Sequence, residues 1–329
     1  MSTKIVGGGD VHDNQAPFFA QLVLYDEGTG LYGNFCGGSI INDKYILTAA
    51  HCLQDEIFSG GWTTDHLHVL VKNPTTNDVY SDEFKKAKGF INHPDYDADN
   101  LWINDIAVIE LDYIITDNVE SVALPQDFGD YSDYDRYYAF GLGLTSSNPE
   151  IKPNSLQTGE FEPVDDTECS GMILGFNSDE SMCAIGNSYG NGAATCDGDS
   201  GGPLTYLDNY GRYHQIGVTS YGAEICEDFS LPSVFAEVVH YAPWIEAQTS
   251  SGNPTVYNAE LAETEGFHSD GDTKMGVPDP VDPTEPTEPP KKPEPFDPDP
   301  NFEPSGGSTG VIGILALLAI TFRRRFSTW

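Results

Sequence analysis

The chain has 329 residues, with 52 acidic against 15 basic side chains and a formal net charge of -37. Such a charge repels nucleic acid phosphates at ordinary ionic strength, which excludes nucleic acid partners, and its self-repulsion is easiest to tolerate in saline surroundings. A composition high in Gly, Tyr, Val and Ile, with few runs of Lys, Leu or Ala, favours β structure, in one large domain or two ordinary ones.

Residues 1–20 hold no basic region followed by an apolar stretch, so any export signal is expected either to have been removed or to belong to a different start. From Ile5 to about Gln248, short alternating apolar segments at 18–25, 38–48, 67–71, 106–111, 137–142, 215–221 and 233–238 are separated by Gly, Asn, Asp and Pro clusters. That spacing predicts antiparallel barrels or sandwiches. A single helix is predicted over 239–247, where Tyr241, Trp244 and Ile245 share a face.

Beyond it the periodicity stops. Residues 249–305 are acidic, and 278–304 hold eleven of the chain's 22 prolines, so this stretch reads as a disordered, solvated linker with little apolar surface to offset the entropy of folding. The last region, 306–329, contains Gly306-Gly307, an apolar run over 311–322 and Arg323-Arg324-Arg325. Twelve apolar residues fall short of the usual span of about 20, but the uncharged stretch 305–322 extends about 27 Å as a helix, enough for a short transmembrane helix in a thin bilayer, with the arginines on the cytoplasmic face.

Six cysteines, none at the short spacings of a zinc or redox site, point to three disulfides in an oxidising compartment. The eight histidines are scattered without ligand spacing, so no catalytic metal and no cofactor is expected. The acidic loop 73–83 suits a solvated charge run better than a structural Ca²⁺ site.

Three stretches carry the chemistry. Gly198-Asp199-Ser200-Gly201-Gly202-Pro203 reads either as a tight turn or as a nucleophile held on one, with the N–H groups of Gly198 and Ser200 aimed where an oxyanion develops. A hydroxyl needs a base, and Leu47-Thr48-Ala49-Ala50-His51-Cys52 supplies an imidazole that is ambiguous by itself. Asn104-Asp105, at the head of an apolar strand, offers a carboxylate that would be costly unpaired and that can orient the imidazole.

Together, in the chain order His51, Asp105, Ser200, these stretches resemble the chymotrypsin/trypsin-like serine peptidase family over residues 5–248, about three quarters of the chain. The resemblance includes Ile5-Val6-Gly7-Gly8, like the family's activated amino terminus, and Ser220-Tyr221-Gly222, like the strand that pairs with substrate backbone. It implies an all-β fold of two six-stranded antiparallel barrels with a C-terminal helix, and a secreted endopeptidase, expected to be a monomer acting on proteins or peptides. It also implies bridges Cys36–Cys52, Cys169–Cys183 and Cys196–Cys226, with Tyr137 and Tyr206 packing where a further family bridge is missing, and Leu142 in place of the family's Trp.

A zymogen switch is implied as well: after a cut between Lys4 and Ile5, with 1–4 as the remnant, the new ammonium pairs with Asp199 and orders the oxyanion loop. In the position where trypsin-like members carry an Asp stands Ala194, so a cationic P1 side chain gains no partner. Gly222 and Ser233 leave room at the pocket walls for a bulky neutral P1, with Glu224 at the rim. Such an enzyme would cut poorly after Lys4, so a separate trypsin-like activator is expected. The region 306–329 resembles the Gly-Gly sorting tails of exported proteins of Gram-negative bacteria, implying cleavage by an intramembrane protease and either release or retention at the cell surface. The main rival reading is a catalytically inactive homologue acting as a cell-surface binding module; it conflicts with the presence of all three triad residues.

Overall fold

The computed structural model describes residues 5–250, apart from 13–14, 55–56, 72–82, 117–118, 148–149, 152 and 187–191, together with the backbone of 294–295 and 326–328. Twelve strands form two closed barrels. In the first, β1 (Phe19–Tyr25), β2 (Leu31–Ile40), β3 (Tyr45–Thr48), β4 (Leu67–Leu70), β5 (Phe84–Asn92) and β6 (Ala107–Leu111) run in the order β2-β1-β4-β5-β6-β3, and β3 pairs back onto β2. In the second, β7 (Tyr137–Gly141), β8 (Gln157–Val164), β9 (Ser181–Gly186), β10 (Pro203–Leu207), β11 (Tyr213–Ala223) and β12 (Ser233–Glu237) run β8-β9-β12-β11-β10-β7, and β7 closes onto β8. Closure removes the free edges that a hydrophobic sheet would otherwise expose.

Each barrel has its own core. Leu22, Ile46, Leu47, Val69 and Ile109 fill the first; Phe161, Leu204, Ile216 and Phe235 fill the second. The helix α2 (Val238–Thr249) follows β12 of the second barrel, yet it buries Tyr241 and Ile245 in the core of the first. It thereby ties the two units across the cleft between them.

The predicted apolar stretch 38–48 divides into β2 and β3. Asn42 makes the turn: its Oδ1 accepts from the N–H groups of Lys44 and Tyr45, both at 2.9 Å. Strands β5, β8, β9 and β10 carry little signal in the sequence. In β8 the buried positions begin Gln157, Gly159, Phe161, so two of three inward residues are not hydrophobic and the period-two pattern is hidden. A second helix, α1 (Asp166–Met172), is equally short of apolar periodicity and is capped by Asp165, whose side chain accepts from Glu168 N–H at 2.9 Å.

All three disulfides form with the implied pairing. Tyr137 and Tyr206 are buried in one cluster, and Tyr206 is stacked on His214 (4.8 Å) with Tyr134 tilted against it (4.3 Å). Among the described residues no helix is long and apolar enough to cross a membrane; the apolar run 311–322 and the arginines lie outside them. The predicted linker also lies outside the described residues past Ser250, except that Glu294–Pro295 pairs in parallel with Leu31–Tyr32. The acidic loop is outside them as far as residue 82.

Candidate active site

The site lies where the barrels face each other. His51 stands in the 3₁₀ turn Ala50–Leu53 directly after β3, and the neighbouring Cys52 is bridged to Cys36 of β2. Asp105 stands two residues before β6. It follows a turn in which Leu101, Trp102 and Asn104 all have positive φ (55°, 53° and 56°), a conformation that costs non-glycine residues and needs support from the surroundings. Asn104 supplies part of that support, donating to Asp95 C=O at 2.9 Å and accepting from Tyr241 of α2 at 3.3 Å.

Asp105 is 1 % exposed, and its carboxylate is fully engaged. Oδ1 accepts from His51 backbone N–H at 2.8 Å, and Oδ2 lies 2.7 Å from His51 Nδ1. The Ser220 hydroxyl donates to the same Oδ2 at 2.5 Å. A carboxylate only accepts, so Nδ1 must carry the ring proton, and Nε2 is left as an acceptor. Nε2 lies 2.8 Å from Ser200 Oγ. The arrangement can move a proton from the hydroxyl to the imidazole and stabilise the resulting charge. Cys36 and Cys52 lie near His51, but their sulfurs are joined to each other and offer no thiolate to a metal.

Ser200 sits on the loop leading to β10. Its carbonyl accepts from Gly37 N–H at 2.7 Å, which locks the loop of the second barrel to a strand of the first. Gly198 has φ +96°, a region open to glycine. The N–H groups of Asp199, Gly201 and Gly202 are bonded to carbonyls; those of Gly198 and Ser200 have no hydrogen-bond partner among the described residues.

Asp199 is buried, with its carboxylate accepting from Gly143 N–H (2.8 Å) and Cys196 N–H (2.9 Å). Burial pushes its carboxyl up to about 7 despite those two donors. Ile5 is buried in the core of the second barrel with φ +27°, a strained value for a β-branched residue, and Val6 pairs with Ala194. Ala194 and Tyr221 share a small core with the Cys196–Cys226 bridge. Ser233 is buried beside them, its Oγ accepting from the Thr195 hydroxyl at 2.8 Å, while Glu224 is exposed. Two features escaped the sequence reading: the Ser220 hydroxyl on Asp105, and Trp102, whose ring packs 5.3 Å from that of Tyr221. Neither has a sequence signal, because both contacts join segments more than a hundred residues apart.

A family model described as trypsin matches residues 5–245. The chain belongs to the trypsin family of serine peptidases. Among its trypsin-family relatives, chymotrypsin-like elastase family member 1 of Bos taurus is 31 % identical over 257 residues, covering 76 % of this chain and 91 % of the relative. Trypsin epsilon of Drosophila erecta is 30 % identical, covering 75 % and 88 %. Transmembrane protease serine 11G of Rattus norvegicus is 29 % identical over 75 % of this chain and 56 % of its own length. The chain thus spans about half the length of several trypsin-family relatives that it matches.

Proposed function

We propose that the chain is a serine endopeptidase in which His51, Asp105 and Ser200 act as general base, orienting carboxylate and nucleophile. The observation that carries this reading is the unbroken hydrogen-bonded chain from Asp105 through His51 to Ser200 beside two unclaimed N–H groups. Ser200 Oγ attacks the scissile carbonyl as its proton passes to His51 Nε2, and the Gly198 and Ser200 N–H groups receive the negative oxygen. The imidazolium then protonates the leaving amine, and water attacks the acyl-enzyme by the same route in reverse.

The peptidase unit spans residues 5–248 and is made as a zymogen activated by scission at Lys4–Ile5. The strained φ of Ile5 supports this reading: hydrolysis of that bond abolishes the torsion and creates an ammonium for the buried Asp199 carboxylate, whose donors among the described residues are the backbone N–H groups of Gly143 and Cys196. Ala194, Gly222 and Ser233 form a primary pocket without an acid, favouring Phe, Tyr, Leu or Met at P1 and leaving activation to a trypsin-like protease. Three disulfides, and relatives that include a transmembrane protease, support an exported protein acting outside the cell or at its surface.

The test is covalent labelling of the Lys4–Ile5-cut protein by a fluorophosphonate, with and without Ser200→Ala, followed by a chromogenic peptide panel. Labelling that vanishes in the variant and turnover of Phe over Arg substrates by at least about tenfold are expected. Absence of labelling in the cut protein makes it an inactive homologue, and a preference for Arg overturns the pocket assignment.

A further inference from the structure

A cavity of about 230 Å³ opens beside the oxyanion loop, with Gly198 at its boundary. It shares no wall with the primary pocket of Ala194, Gly222 and Ser233, and part of its lining, Gln21 and Phe35, comes from the first barrel. The first barrel also carries His51, toward which the leaving amine departs. The cavity therefore belongs to the part of a substrate that follows the scissile bond. His51 must reach the amine of the first leaving residue, which keeps that residue beside the imidazole and the Cys36–Cys52 bridge, and neither the imidazole nor the bridge lines the cavity. Successive side chains of an extended peptide point to opposite sides, so the cavity faces the second leaving residue, P2′.

Its walls divide by chemistry. Phe35, Leu142 and Leu144 are apolar, Glu150 and Asp197 are acids, and no Lys, Arg or His lines it among the described residues. Gln21 is 3 % exposed. Its side-chain amide donates to Cys36 C=O at 2.7 Å, which fixes Oε1 as the acceptor end, and Oε1 has no hydrogen-bond partner among the described residues. A buried amide oxygen left without a donor is a cost that an incoming N–H group relieves. The acidic side is held in place by the backbone. Leu144 N–H donates to Asp197 C=O at 2.7 Å, and both the N–H and the hydroxyl of Thr145 donate to the C=O of Ile151, next to Glu150, at 2.8 and 3.1 Å.

We propose that this cavity is a subsite for a basic P2′ side chain, arginine above lysine, and that Glu150 and Asp197 set the preference. An arginine matches both halves of the lining: its apolar stem lies along Phe35, Leu142 and Leu144, and its head meets the carboxylates. Five N–H donors in a planar fork can serve two carboxylates and an amide oxygen together, whereas an ammonium offers three donors around a point. The volume lies below the roughly 300 Å³ at which pockets for whole small ligands begin, which suits a single side chain. The net charge of -37 adds a long-range attraction for basic peptides. The proposal rests on the peptidase reading and names its substrate class: chains with a bulky neutral residue before the cut and an arginine two places after it.

The experiment uses the Lys4–Ile5-cut full chain and internally quenched peptides with Phe at P1 that differ only at P2′ (Arg, Lys, Ala or Glu), with cleavage at the Phe bond verified by mass spectrometry. At low salt kcat/KM for Arg is expected to exceed that for Glu about tenfold, with Lys and Ala between them, and the ratio should shrink at about 0.5 M salt. Glu150→Gln and Asp197→Asn should each reduce the Arg-to-Glu ratio about threefold, and Glu150→Lys should bring it to about one or below. Because the readout is a ratio within one protein, a change in overall activity does not obscure it. Equal rates for Arg and Glu in the parent, or an Arg preference untouched by all of these substitutions, overturn the proposal. Fluorophosphonate labelling separates the two levels: label incorporated without P2′ selectivity sinks the subsite alone, and no label sinks the peptidase reading beneath it.

Discussion

Asp199 shows how closely one residue's chemistry is built into its neighbours. Its carboxylate fills the space beside two glycines: a Cβ at Gly143 would lie 2.5 Å from Asp199 Cγ, and one at Gly141 would run into Asp199 Oδ1. Glycine is needed there for approach rather than for φ, and the Gly143 N–H is also one of the two donors on that carboxylate. Gly143→Ala should therefore expel Asp199 and, with it, the alignment of the Gly198–Ser200 loop. We expect kcat/KM to fall by roughly 100-fold or more while the protein stays folded at a cost of about 1–3 kcal/mol, measured by peptide hydrolysis and urea denaturation. An unchanged kcat/KM would show that the loop does not depend on where Asp199 lies.

At the level of elements, the junction of β12 and α2 carries a buried acid. Glu237 ends β12, accepts a hydrogen bond of 2.5 Å from the Tyr131 hydroxyl, and is pushed by burial up to about 7 from an ordinary 4.5. Below pH 4.5 the carboxyl is protonated whether the chain is folded or not, so it has no effect on stability. Between 4.5 and about 7 the folded chain keeps the proton that the unfolded chain releases, so rising pH favours unfolding, and the penalty levels off above 7. Glu237→Gln keeps an acceptor for Tyr131 and removes the titration. Chemical denaturation at pH 5 and pH 8 should show the variant losing roughly 2–3 kcal/mol less than the parent over that interval. Parallel pH profiles would place the acid in water rather than in the core.

For the molecule as a whole, scission at Lys4–Ile5 is the largest expected change. In the uncut chain Asp199 behaves in the same sense as Glu237: its raised pKa makes the fold lose stability as pH rises from the ordinary 3.8 to about 7. An ammonium at Ile5 stabilises the ionised form instead and releases the torsional strain of that residue. The cut protein should melt roughly 5–10 °C above the uncut one at pH 8, by calorimetry, with a smaller gap at pH 5 where Asp199 is largely protonated in the uncut fold. Identical melting temperatures at pH 8 would rule out the paired amino terminus. The same scission should convert an inert chain into one that takes up fluorophosphonate.

Much of this is written in short stretches of sequence. His51, Asp105 and Ser200 stand out through their order and spacing along the chain, since each stretch is ambiguous by itself: glycines around the serine, a cysteine after the histidine, an apolar strand after the aspartate. The barrel strands with alternating or continuous apolar runs were legible for the same local reason, and so was α2. Strands β5 and β8 were not: in β5 a bulge between Ala87 and Gly89 breaks the alternation, so that Phe84, Ala87 and Phe90 are the buried positions, and in β8 Gln157 and Gly159 take buried positions, so that periodicity fails. Only the folded chain could bring the Ser220 hydroxyl onto Asp105, stack His214 on Tyr206, or set the Trp102 ring against Tyr221. These contacts join segments far apart in the chain, and their free energy comes from pairing that no local window of residues contains.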